Sequence, residues 1–161
     1  MISKILDVYT KILVLIVTML MGVLLVAVAL QILGRYVPFI PRFLWTDEVA
    51  RYTLVWVVFL GAMIGVRERT HFYVNFLPKN LPQTAESVLR ILYYVLMYII
   101  ALVFIRYGYR FFWGGYRQQS QIIGFNLGLV YFTVPLAGVN WFIFLTENLY
   151  KDFFSTAKKG E

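Results

Sequence analysis

The sequence contains no cysteine, which excludes a disulfide, a thiolate metal site and a cysteine-held iron–sulfur cluster within the chain. It contains one histidine, His71. A membrane haem b normally takes two axial histidines, and zinc takes three or four ligands, so the chain alone completes neither. Charge is scarce as well: 14% of residues are charged against 61% hydrophobic, too apolar for a soluble domain. No polar stretch is long enough for a soluble catalytic domain, and no catalytic, cofactor or metal site is expected. Net charge is +7. In so apolar a chain the placement of charge matters more than its sum, because basic loops hold the cytoplasmic side and meet anionic lipid. Membrane lipid is therefore the expected surroundings, and nucleic acid is not an expected partner. There is no internal repeat and no low-complexity segment.

What is present is four apolar runs. Lys11 and Arg35 bracket an uncharged stretch over 12–34, about 35 Å long at 1.5 Å per residue and enough to cross a bilayer. Lys4, Lys11 and Ala27-Val28-Ala29 have the look of a cleaved signal, but the apolar run exceeds the roughly 7–15 residues of such a segment, so a retained helix is predicted. The second run, 52–66, becomes long enough if its helix starts near Thr46, giving a span of about 46–66. The third lies between Arg90 and Arg106 and extends a turn either way, about 88–108. The fourth, about 122–146, sits in a stretch uncharged from Gln118 to Thr146, with Pro135 predicted to kink it. This pattern predicts an all-α integral membrane protein, a single four-helix domain over 1–161 whose polar tail, 151–161, is mobile.

Four spans put both termini on one side. If that side is cytoplasmic, it holds nine basic residues: Lys4, Lys11, Arg67, Arg69, Lys79, Arg90, Lys151, Lys158 and Lys159. The other side holds six: Arg35, Arg42, Arg51, Arg106, Arg110 and Arg117. The imbalance predicts an N-in, C-in orientation. All six on the outside are arginines, the better residue for forked pairing with carboxylates. Between the first two spans, Tyr36, Phe39, Ile40, Phe43 and Leu44 recur at helical spacing. Pro41 suits a first helical position and Trp45 an interface belt. A short amphipathic helix over about 38–45, lying on the outer surface, is predicted.

The second span has the most definite ends. Asp47 precedes Arg51 by four residues and Glu48 precedes it by three, an order that suits both side-chain pairing and the helix dipole. Two readings stand: an interfacial cap with an internal ion pair, or an acid that bonds an arginine of a partner subunit or of Arg106 and Arg110. A catalytic carboxylate pair would lack nucleophile and metal ligands. At the other end, His71 reads as an interface residue on the cytoplasmic side.

Inside the spans the polar groups are few: Gln31, Asn126, Thr133 and Asn140. Proton- or cation-coupled transporters usually bury an ionisable group in a span, and discontinuous paired helices are missing too, so the chain does not look like a transport pathway by itself. A self-contained small transporter acting as a homo-oligomer would need such an acid. Asn126 and Asn140 fall near one face of the fourth span and are expected to hydrogen-bond between helices. Gly61-x-x-x-Gly65 and Gly124-x-x-x-Gly128 would allow close helix approach. Tyr107, Tyr109, Phe111, Phe112 and Trp113 crowd the outer end of the third span, as an interface belt or a docking face.

Together these residues resemble a known family, the small membrane (DctQ-like, or Q) subunit of tripartite ATP-independent periplasmic (TRAP) transporters. The pattern that carries it is acid-x-x-Arg51-Tyr52, Trp56, Phe59-Leu60-Gly61-Ala62, a basic cluster, His71 and an apolar end at Pro78. Arg35 after the first span matches, as do the approach over 119–124 and Tyr131-Phe132-Thr133-Val134-Pro135-Leu136 in the fourth span. The likeness covers essentially the whole chain. Asn75 departs from it, standing where an aspartate is expected. The resemblance implies a non-catalytic subunit of the bacterial inner membrane. Its partners would be a large permease subunit, which carries an organic acid such as a C4-dicarboxylate or sialic acid inward with sodium, and a periplasmic substrate-binding protein. On that footing Arg35, Asp47, Glu48, Arg51, Trp56, Gly61 and His71 are expected at the subunit interface, and Arg106, Arg110 and Arg117 in docking the binding protein.

Overall fold

In lipid only internal hydrogen bonds satisfy a backbone, so uncharged runs of this length fold as helices. The computed structural model contains α1 (Ile2–Tyr36), α2 (Trp45–Glu68), α3 (Gln83–Tyr116), α4 (Leu127–Tyr131) and α5 (Thr133–Ala157). It describes the backbone of residues 2–37, 39–68 and 83–157, and side chains over 4–37, 39–68 and 88–151. His71, Asn75 and the basic residues at 69 and 79 lie outside the described residues. Four stretches are long and apolar enough to cross a membrane: one each in α1, α2 and α3, and one formed by α4 and α5 together.

The inward face of α1 follows a seven-residue rule. Leu6, Leu13, Leu20, Ala27 and Gly34, interleaved with Thr10, Val17, Leu24 and Gln31, are all buried or half-buried. That 3.5-residue period keeps one seam against a partner helix, as in a left-handed coiled coil. The partner is α2, which packs on α5, which packs on α3. The two central helices share the core of Leu60, Met63, Ala137, Phe144 and Leu145. The layer is open: 39% of the apolar window of the last span is buried and 11% of that of α1, so much of the apolar surface needs lipid or another protein.

Along α3, every seventh residue on the inner face shrinks, from Tyr94 through Ala101 to Gly108 and Gly115. This lets α4 and α5 close in. A Cβ on Gly138 would lie 2.9 Å from the Ala101 carbonyl oxygen, and one on Gly128 would lie 2.8 Å from Tyr116 Cα.

Three expectations are revised. Residues 39–44 form a turn and bend rather than the short helix expected over 38–45. Prolines at 38 and 41 disfavour helical dihedrals at 37 and 40, and this outweighs the apolar spacing. The fourth span, expected over 122–146, is broken: Gly124 takes a φ of 73°, Asn126 caps α4, and α5 starts afresh after Phe132. Pro135 accounts for the break at Phe132, since its ring crowds the carbonyl four residues back, at Tyr131. Thr133 Oγ1 repairs part of the break by donating to the Val130 carbonyl at 2.7 Å. The tail expected to be loose from 151 is helical to Ala157.

Candidate functional site

At one end of the layer, α2 starts beside the loop over 117–126 that joins α3 to α4. Thr46 opens the helix: its hydroxyl donates to the Phe43 carbonyl at 2.6 Å, and its carbonyl accepts from Gln31 Nε2 at 2.8 Å. Glu48 then turns away from its own helix. Its Oε2 accepts from Ser120 Oγ at 2.5 Å and from the Ile123 N–H at 3.1 Å. Its Oε1 accepts from the N–H groups of Gln121 at 3.1 Å and Ile122 at 3.3 Å. Successive inward N–H groups make a concave anion site, and charge-assisted bonds of this kind are the strong ones. The loop is also tied to itself, with the Ser120 N–H donating to the Phe125 carbonyl at 2.8 Å and the Phe125 N–H donating to Ser120 Oγ at 3.3 Å.

The ion pair expected of Glu48 with Arg51, or with Arg106 or Arg110, is therefore replaced by a bond to the loop. Glu48 is 6% exposed and saturated. Asp47 and Arg51 are exposed and have no hydrogen bond or ion pair among the described residues. A separation of 72 residues lies beyond any local spacing rule. The resemblance touched the loop at 119–124 without linking it to Glu48.

Towards this end stand Arg35, Arg42, Arg51, Arg110 and Arg117, with Arg106 ten residues inside the end of α3, all exposed and all without a carboxylate partner among the described residues. Arg110 lines a shallow cavity of about 390 Å³ with Tyr107, Gln118 and Tyr131. Asn126 caps α4 and, as expected, also bonds to a neighbouring helix, α3. Its Oδ1 accepts from the Gly128 N–H at 2.8 Å and its Nδ2 donates to the Tyr116 carbonyl at 3.0 Å. Gly124 and Gly128 thus belong to a turn and a helix start, not to one packing face. Asn140 also links helices, accepting from the Tyr9 hydroxyl at 2.7 Å.

Of the other expected interface residues, Trp56 is half-buried against the core. Gly61 is half-buried, and a Cβ there would meet nothing within 4 Å.

The opposite end is gathered by Arg67, whose side chain is 10% exposed. It pairs with Asp7 of α1 at 2.5 Å and Glu147 of α5 at 3.3 Å, donates to Thr10 Oγ1, and lies 5.7 Å from the centre of the Phe144 ring. Asn148 donates to the Val66 carbonyl at 3.1 Å, closing the end of α2. Sequence spacing singled out neither Asp7 nor Glu147. Among the described residues no cluster of histidine, aspartate and glutamate could hold a metal ion.

The model of a family described as the DctQ component of tripartite ATP-independent periplasmic transporters matches residues 24–155. The chain belongs to that family. With four stretches able to span a bilayer, this DctQ-family chain is a multi-pass membrane protein. It is 30% identical over 94 residues to a Haemophilus influenzae protein named as a TRAP transporter small permease, covering 58% of each chain. A second H. influenzae protein of that name is 22% identical over 116 residues, 71% of this chain and 70% of the relative. The sialic acid TRAP transporter permease protein SiaT of H. influenzae is 30% identical over 82 residues, which are 51% of this chain and 13% of the much longer SiaT. The family match takes in Glu48, its loop, Arg67 and Glu147, while Asp7 and Thr10 precede it.

Proposed function

We propose that this chain is the non-catalytic small membrane subunit of a TRAP transporter of the bacterial inner membrane, lying N-in and C-in. It widens the static scaffold of a large permease subunit and helps receive a periplasmic substrate-binding protein during sodium-coupled uptake of an organic acid. One observation carries the reading: the carboxylates of the described residues stand towards the two ends of an open helix layer and none lies at the middle of a span, where the nearest charge is Arg106 of α3. Coupled transport usually uses a buried acid or paired half-helices at mid-membrane, and the single helix break among the described spans, at Phe132, lies near a span end; this supports a partner as the carrier. The likeness to 13% of a longer permease favours that division, since a similar segment there shares a chain with other permease sequence. SiaT is named for sialic acid, which favours a carboxylated sugar over a C4-dicarboxylate as cargo.

Within this reading Arg35, Asp47, Arg51, Trp56, Gly61 and His71 contact the large subunit, and Arg106, Arg110 and Arg117 face the binding protein. Glu48 serves assembly through its loop rather than by touching a partner. The test is co-expression with the cognate large permease. A stable complex, with no uptake by the small chain alone in liposomes, is the expected result. Uptake by the small chain alone would replace this reading with that of a self-contained homo-oligomeric transporter.

A further inference from the structure

We propose that the loop held by Glu48 is the apolar centre of the surface that receives the soluble binding protein, with Arg110 and Arg117 in its charged rim. The inference rests on the reading above and names the residues at its core.

The loop presents Ile122, Ile123 and Phe125 at 50%, 43% and 40% exposure, three large apolar side chains in four residues. Their backbone is not free to fold them away. Glu48 takes a hydroxyl and three N–H groups of this segment, and Tyr52, one turn along α2, stacks on Phe125 at 6.2 Å between ring centres. A tip meant only to rest in lipid needs no fixed shape. Fixing an exposed apolar tip before contact lowers the ordering cost of binding a structured partner.

The surroundings say what that partner is. Arg117 stands three residues before Ser120. Gln118, at the base of the loop, lines the cavity that also holds Arg110. The one other acid in the first turn of α2 is Asp47. An apolar knob beside a hollow, with the unpaired guanidinium groups of Arg110 and Arg117 next to it, has the anatomy of a protein interface: apolar centre, polar rim, complementary charge. The occupant is an acidic, water-soluble protein with an apolar recess.

The test uses the two-subunit membrane complex in liposomes with purified binding protein titrated against it. Ile122→Ser with Ile123→Ser removes the tip and leaves every bond to Glu48, because those bonds use backbone N–H groups and Ser120. The permease should still co-purify, while the binding-protein concentration for half-maximal uptake rises about tenfold or more. Glu48→Gln should give the same shift with the tip intact. A probe on Ile123→Cys, unique in a cysteine-free chain, should become more mobile in that variant and should be shielded when binding protein is added. An unchanged titration in the double variant overturns the proposal, as does quenching of the probe by lipid-borne spin labels, which would place the tip in the bilayer. Failure of the unaltered chain to hold the permease would sink the scaffold reading instead, and is seen separately in the purification.

Discussion

Gly108 of α3 lies against Pro135 of α5 so closely that a Cβ on the glycine would come within 2.8 Å of the proline nitrogen. Neither side can yield cheaply, because the obstacle is backbone and a fixed ring. Gly108→Ala is therefore expected to destabilise the chain by about 2 kcal/mol, the range of overpacking in a tight core. Gly114, in the same helix, has nothing within 4 Å of its Cβ position. There alanine should be neutral or stabilising by up to about 1 kcal/mol, through helix propensity alone. Thermal unfolding of the two variants in one detergent checks the pair, and equal melting temperatures would mean that α3 and α5 do not meet at Gly108.

Arg67 is expected to resist conservative replacement. Its forked head serves Asp7, Thr10 and Glu147 together, and Glu147 is only 7% exposed. Arg67→Gln removes one of the two cations paired with that carboxylate and leaves Lys151 at 2.7 Å, a loss of about 2 kcal/mol. Arg67→Lys should recover less than half of it, because an ammonium is a point charge without the fork. Asp7→Asn should cost under about 1 kcal/mol, since Asp7 is 59% exposed and its pair is screened by water. Denaturation curves that rank Asp7→Asn as the worst of the three would refute this account of the junction.

The Tyr9–Asn140 bond offers a cleaner measurement. It joins α1 to α5 across 131 positions at 2.7 Å, and Asn140 Nδ2 is occupied separately by the Leu136 carbonyl at 2.8 Å. Tyr9→Phe, Asn140→Ala and the double variant form a cycle whose coupling should be about 0.6–1.7 kcal/mol, the span found for hydrogen bonds between membrane helices. A coupling near zero would place Tyr9 in contact with water or lipid headgroups rather than with Asn140.

Much of the helix layer was legible in the sequence because lipid makes one demand everywhere. An uncharged run such as 12–34 has no stable alternative to a helix, so its existence follows from composition. What composition could not reveal was where every break falls. Apolar spacing over 38–45 argued for a helix, and two prolines prevented it. In the fourth run the disruption at Pro135 was legible, but not that Gly124 and Asn126 delay the helix start to Leu127. The site was legible only as a place: Asp47-Glu48-x-x-Arg51 marked the right helix end, but both readings of the acids paired them with an arginine, Arg51 or a more distant one. The bond to the loop depends on how α3 and α4 sit beside α2, which follows from close approach at Gly115 and Gly128 rather than from any spacing near Glu48. Arg67 was similar, its partners being set by the packing of α1 and α5.

Gly61 separates contact with a partner subunit from contact with lipid. It stands mid-helix, where glycine is less favourable than alanine by about 1 kcal/mol, and the fold of this chain gives no steric reason for it. Gly61→Ala should therefore leave the isolated chain as stable as before or slightly more so. Gly61→Phe should also leave its melting temperature in detergent within a few degrees, because nothing in the chain lies within 4 Å of the Cβ that carries the ring. If the large permease packs there, the phenylalanine variant loses co-purification while the alanine variant keeps it. Retention of the complex by both variants would show that Gly61 faces lipid, and would move the proposed contact with the permease to another face of the layer.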